Sequence, residues 1–366
     1  MTQLLNELKI SSPGRVCLFG EHQDYLHLPV IASAISLRIS VTGKRRNDKL
    51  INIDLPDISN KKSFNLSEPL VYTEERDYFK SAINVLQRNS FTFSSGFDCV
   101  VNGKIPINAG TASSSALVVT WINFLSRMSD QSAVLPSEEL ARYAYEAEVL
   151  EFSEPGGMMD QYSASYGGII SIDFLPETKV TQINPNLKTF VLGNSGEPKN
   201  TMYILSHVKN RILEVVRILK SIDSNFSLNT LKANELSHYE NYISESLFNL
   251  LEGTIINRDI TREARIELNK QSPDHKMIGK LLNEHQEVLR DVLGISTFKI
   301  NRMIDAAINA GAYGAKINGS GGGGCMFSYA PESAEYVKAV IEAEGGEAFI
   351  INSDLGSCEE PMENKN

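Results

Sequence analysis

Residues 114–128 carry Leu117, Val118, Val119, Trp121, Ile122, Phe124 and Leu125, apolar nearly all the way round, and a helix without a polar face has to be buried. This helix opens directly from a loop running from Pro106 to Ala116, in which Gly110, Thr111 and Ala112 precede Ser113, Ser114 and Ser115. The helix dipole, the free loop amides and the serine hydroxyls converge on one spot. Such a spot suits an anion: small residues let the backbone close around phosphate oxygens, and a serine hydroxyl can ligate Mg²⁺. The loop lacks the Gly-Lys-Ser/Thr ending of a Walker loop, and taken alone it also reads as an ordinary N-cap with spare serines.

The rest of the chain alternates strand and helix patterns. Residues 8–55 read mostly as strands and turns; 77–88 have helical spacing, and 97–101 look like another strand. A helix begins near Pro136, with Glu138 and Glu139 in its first turn, and stops near Pro155, Gly156 and Gly157. Strands at 168–174 and 189–192 lead to 194–199, the best linker candidate, so the domain boundary is expected near 195, giving 1–195 and 196–366. The second half is helix-rich to about 310. It continues as a strand at 315–317, a glycine-rich loop, a strand at 325–329, a helix from Pro331, a strand at 347–351 and a polar tail. At 366 residues this makes two domains of mixed α/β (α+β) class.

A net charge of -10 excludes a general nucleic-acid or anionic-membrane partner, because either needs a dense basic face. Any phosphate must therefore be held locally. Cys17, Cys99, Cys325 and Cys358 are scattered without metal-ligand spacing and read as reduced thiols. The opening residues 1–7 are no secretory signal and no apolar run approaches a membrane span, so the cytoplasm is the expected address.

Three further clusters carry chemistry. Residues 318–325 put glycines at 319 and 321–324 between two apolar strands, which implies close backbone approach to something or else a flexible link. At 14–25 an apolar strand ends on Gly20 and is followed by Glu21, His22, Gln23 and Asp24, polar groups able to bind sugar hydroxyls or simply to line a surface turn; His22 has no metal partners. Glu148 shares a helical stripe with Ala141, Ala144 and Tyr145, and a buried carboxylate there needs Mg²⁺ or a structural cation. Asp160, beyond the breaker at 155–157, fits either a helix cap or a catalytic acid/base.

Together these segments resemble the GHMP kinases, and within them the galactokinase branch. Residues 14–25 are similar to the signature GRVNLIGEHTDY, 106–116 to PxGAGLSSSA, and 316–325 to the third motif; Ala147–Glu148 and 157–161 match AEH and GIMDQ with the same separation of the two acids. The resemblance implies a ribosomal-protein-S5-like N-terminal domain, a GHMP-type C-terminal domain and an active site between them. It also implies an ATP-dependent transfer to a monosaccharide, at the anomeric hydroxyl. Asp160 would accept the hydroxyl proton, with Arg15 beside it stabilising charge on the transferring group. Ser114 and Glu148 would hold Mg²⁺, residues 110–115 would cradle the ATP phosphates, Tyr78 would pack on adenine unless it is only a core tyrosine, and Glu21, His22, Asp24 and Gly157 would meet the sugar.

The sequence departs from the family at Cys17, Asn108, Ala112 and 26–29, none of which removes a reacting group. At 206–211 it lacks the tyrosine that contacts galactose in the family. The acceptor therefore stays open between galactose, another hexose, a uronic acid, L-arabinose, L-fucose and a heptose phosphate. Two rival readings are a sugar- and ATP-binding regulator without turnover and a mevalonate- or homoserine-type kinase.

Overall fold

The computed structural model describes residues 4–187, 189–199 and 201–362; Met1, Thr2 and Gln3 of the N-terminal reading and the last four residues of the polar tail lie outside it. In order, the N-terminal half runs β1 (Glu7–Phe19), β2 (Val30–Arg45), β3 (Leu50–Leu55), β4 (Asn60–Asn65), α1 (Tyr78–Arg88), β5 (Phe97–Gly103), α2 (Ser113–Met128), α3 (Ser137–Tyr145), α4 (Met159–Tyr166), β6 (Ile169–Asp173) and β7 (Lys179–Ile183). The C-terminal half follows with β8 (Phe190–Asn194), α5 (Thr201–Ile222), α6 (Glu245–Leu268), α7 (His275–Glu287), α8 (Phe298–Asn309), β9 (Gly314–Ile317), β10 (Cys325–Tyr329), α9 (Ala334–Ala343), β11 (Glu347–Ile351) and β12 (Cys358–Glu359). No helix among the described residues is long and apolar enough to cross a membrane.

Among the described residues the strands form two sheets. The first runs β12-β1-β2-β5-β3-β4, and β2 forks: Val30–Ser33 pair with β6, which carries β7, while Ile39–Arg45 pair with β5. Only β3 and β5 run parallel. The all-round apolar α2 packs against β1, β2 and the flanking helices, and its tryptophan is satisfied by donating Nε1–H to the Phe79 carbonyl at 3.1 Å while stacking on Phe124. The second sheet, β11-β8-β10-β9, is antiparallel and is covered by α7, α8 and α9.

The segment 194–199 is a turn, and β8 just before it hydrogen-bonds on both sides to β10 and β11. The change of sheet falls between Ile183 and Phe190. Composition alone marks a turn and is blind to which sheet the preceding strand joins. The polar tail returns to the first sheet: β12 pairs with β1, and Arg38 donates to the Asp354 carboxylate at 3.0 Å and to the carbonyls of Leu355 and Gly356 at 2.8 Å.

The two halves share a core. Val16, Leu18 and Phe19 of β1 bury with Leu192 of β8, Phe327 of β10 and Leu281 of α7, so removing either half would expose the other's apolar face. Polar staples cross the same interface. The fully buried Lys316 ammonium of β9 donates to the Glu21 carboxylate and to the Cys17 and Ile317 carbonyls, the latter two at 3.0 Å. Next to it, buried Asn318 accepts from the Cys17 N–H at 2.9 Å and donates to the Gly110 carbonyl at 2.8 Å.

Removing one member of the Glu21–Lys316 pair leaves a buried charge unbalanced. Lys316→Met is expected to cost about 3–5 kcal/mol of folding stability, and the double variant Glu21→Gln/Lys316→Met to recover much of it. Denaturant unfolding of the singles and the double checks this; additive losses would show the two groups are not coupled.

Candidate active site

A cleft of about 690 Å³ opens between the halves. One wall is the loop before α2. Asn108, Gly110 and Ala112 all take positive φ, at 56°, 87° and 59°, and the two non-glycine residues among them are uncommon there. Ala112 is the N-cap and offers no side-chain bond to the helix, so the serines of the first turn are not spent on capping. They face the cleft at 113, 114 and 115 instead.

The second wall is the turn between β9 and β10. A Cβ on Gly319 would stand 2.8 Å from the Gly110 carbonyl oxygen, and one on Gly110 would stand 2.7 Å from that of Asn318. The glycine-rich segment is thus no linker: its backbone closes on the backbone of the serine loop, and Cys325 N–H donates to the Ala109 carbonyl at 2.8 Å.

Asp160 sits in the first turn of α4, and Arg15 grips it with Nε at 2.8 Å and Nη2 at 3.0 Å while Nη1 donates to the Gly110 carbonyl. Burial is the largest influence and works against the Arg15 charge, but Asp160 together with Cys17 and Glu21 holds the guanidinium above its ordinary range. One residue thereby ties the carboxylate of α4 to the serine loop. Asp24 lies close by: a Cβ on Gly157 would stand 1.9 Å from its Oδ2, so only glycine fits there. Burial, reinforced by Asp160, pushes the Asp24 carboxyl up to about 6, against the backbone N–H groups of Tyr25 and Met159 and the charge of Arg15.

Glu148 occupies a π-helical turn, Glu146–Leu150, that continues α3. Such turns are uncommon and cluster at functional positions. The carboxylate is buried, which raises its pKa despite hydrogen bonds from Ser115, Ser114 and Gln161, the last donating Nε2–H at 2.6 Å. No group of three or more His, Cys, Asp or Glu side chains able to hold a metal occurs among the described residues. A single buried carboxylate beside serine hydroxyls nevertheless fits Mg²⁺, which takes one or two protein ligands and completes its shell from phosphates and water.

Of the other expected residues, Glu21, His22 and Tyr78 line the cleft, whereas Thr111 does not. Thr111 is fully buried behind the loop, where its carbonyl accepts from the Arg15 N–H at 3.1 Å, and it does not line the cleft. Glu21 is only 1% exposed and is committed to Lys316, with its other oxygen lacking a hydrogen bond among the described residues. His22 spends both ring nitrogens on protein, on Tyr25 Oη at 2.9 Å and the Ser320 carbonyl at 3.0 Å, and burial lowers it to about 4, so it is a neutral strut. Tyr78 is half-buried at the cleft edge, set edge-on to Phe152. Lys199, Asn318 and Gln161 reach the site unforeseen. Lys199 stands in the stretch read as a linker, and Asn318 and Gln161 stood inside recognised motifs as unmarked neighbours.

Residues 77–168 match the GHMP kinases N-terminal domain, residues 265–346 the GHMP kinases C-terminal domain, and residues 6–45 the galactokinase galactose-binding signature. A mevalonate kinase of Thermococcus onnurineus is 27% identical over 361 residues, spanning 94% of this chain and 96% of that protein. The galactokinase of Homo sapiens is 25% identical over 364 residues, spanning 95% and 90%. Among solved structures, Lactococcus lactis galactokinase complexed with galactose superposes with a TM-score of 0.85 at 20% identity, covering 96% of this chain and 95% of that one. Methanococcus jannaschii mevalonate kinase gives 0.73 at 22% identity, covering 96% and 99%. The chain has the two-domain fold these proteins share.

The raised Asp24 carboxyl carries a signed prediction. Its folded pKa of about 6 lies above the ordinary 3.8, so the ionised form is a cost to the fold at neutral pH that disappears as pH falls through 6 toward 4. Asp24→Asn is expected to raise the thermal midpoint at pH 7.5 by a few degrees and to lose that advantage by pH 4.5, read by scanning calorimetry across the range.

Proposed function

We propose that this chain, which belongs to the GHMP kinases, transfers the terminal phosphoryl group of ATP to a hydroxyl of a neutral monosaccharide, the anomeric one, as a galactokinase-like enzyme. The observation that carries the reading is the position of Arg15, which bonds the Asp160 carboxylate and the Gly110 carbonyl at once and so fixes a proton acceptor against a phosphate-binding loop. The acceptor hydroxyl oxygen attacks the γ-phosphorus, its proton passes to Asp160, and the bond to the β,γ-bridging oxygen breaks to release ADP. Backbone N–H groups at the α2 N-terminus and the Arg15 guanidinium balance the charge on the transferring group. Ser114 and Glu148 would hold Mg²⁺, which would neutralise the β- and γ-phosphates. Tyr78 would flank the adenine.

A neutral polyol is favoured over an anionic acceptor by charge. The acceptor end of the cleft presents Asp24, Asp160 and Glu154. Both arginines nearby are already paired, Arg15 with Asp160 and Arg76 with Glu154 at 2.6 Å. A carboxylate such as that of mevalonate would enter beside these acids. The match of residues 6–45 to a galactose-binding signature supports the same choice, whereas the similarity to mevalonate kinases keeps that alcohol as the second reading.

A coupled ADP-release assay with galactose, other hexoses, L-arabinose, L-fucose, a uronic acid, a heptose phosphate, mevalonate and homoserine separates the readings. Turnover with a neutral sugar is expected. Turnover with mevalonate alone would overturn the sugar assignment, and sugar binding without ADP release would make the chain a regulator. Asp160→Asn is expected to lower kcat by roughly 10²–10⁴-fold while nucleotide affinity changes little; turnover at the wild-type rate would remove the proposed base.

A further inference from the structure

The residue that the reading above leaves without a task is Lys199. It comes from the turn after β8, in the C-terminal half, and lines the same cleft as Arg15, Asp160 and the serine loop. Its ammonium lies 3.2 Å from where a Cβ on Gly110 would stand, and its Cδ lies 2.9 Å from where one on Gly324 would stand. The two phosphate-side loops thus leave a slot that this side chain fills, and a side chain at 324 would press on it.

Its surroundings are cationic as well as anionic. Burial is the main influence, lowering the Lys199 ammonium to about 8; Arg15 lowers it further, whereas Asp160 and the Cys325 thiol act in the opposite sense. His22 also feels the ammonium, but is held neutral by burial. Asp160 is already gripped by Arg15 through two hydrogen bonds. The nearest carboxylate in sequence, Glu197, is bonded to the Thr297 hydroxyl at 2.5 Å. No carboxylate among the described residues pairs with Lys199 within 4.0 Å. A largely buried ammonium without a counter-ion is unfavourable unless a ligand provides one.

We propose that Lys199 is a second cation of the phosphoryl-transfer site, delivered by the C-terminal half, and that the polyphosphate chain of the nucleotide is the anion it awaits. The inference rests on the kinase reading. Nucleotide binding then completes a charge pair across the cleft, so that Arg15 from β1 and Lys199 from the opposite half hold the transferring group between them. Because the ammonium is partly neutral in the free protein near pH 8, binding draws a proton onto it.

The test is isothermal titration calorimetry of AMP, ADP and the β,γ-imido analogue of ATP at pH 8, in two buffers of different ionisation heat, on the wild-type protein, Lys199→Met and Lys199→Arg. Lys199→Met is expected to weaken the imido triphosphate roughly 10- to 100-fold, with a loss that grows from AMP to ADP to the triphosphate. Lys199→Arg should keep affinity but take up roughly half a proton less than wild type, a readout that a merely structural lysine would not move. If Lys199→Met does not fold, the proton count of Lys199→Arg still decides. Equal triphosphate affinity in wild type and Lys199→Met, or equal proton uptake in wild type and Lys199→Arg, would overturn the role of Lys199 alone. Failure of the wild type to bind any of the three nucleotides would sink the kinase reading itself.

Discussion

The whole cleft depends on two backbones meeting where no side chain can stand. Gly110 and Gly319 approach so closely that a methyl group on either would strike the other loop's carbonyl region, and Asn318 locks the contact by bonding the Gly110 carbonyl and the Cys17 N–H. Arg15 then donates to that same Gly110 carbonyl. The serine loop is therefore positioned by groups from β1 and from the turn after β9 rather than by its own sequence. It holds positive φ at Asn108 and Ala112, a conformation uncommon for non-glycine residues.

Around that contact opposite charges are interleaved. Arg15 is bonded to Asp160, Lys199 lines the same cleft from the opposite half, Asp24 and Glu154 line it as well, and Glu148 is sunk beside the serines. A polyphosphate and a polyol would each find the chemistry complementary to it. The Glu21–Lys316 pair lies behind this arrangement as a strut between the halves.

The comparisons join the same two themes from outside the molecule. The fold is shared with galactokinases and mevalonate kinases alike. The curated relatives divide between the two names at similar identity, 27% and 25% for the pair described. Fold alone therefore does not separate the two acceptors; the site does that.

Much was legible in the sequence because it is written in local pattern. The apolar helix at α2, the strand pair around the glycine turn, the helix leading to Glu148 and the order of the polar clusters all follow from periodicity, small residues and turn chemistry over a few residues. What stayed hidden was every choice of partner between distant segments. The sheet that β8 joins, the return of the tail to β1, the burial of Thr111, the engagement of Glu21 and His22 with protein groups, and the arrival of Lys199 beside Arg15 are decided by contacts between residues up to several hundred positions apart. The reason is physical: local sequence sets which backbone shapes are cheap, whereas the burial of a charge and the partner that neutralises it exist only once the two halves have closed on each other.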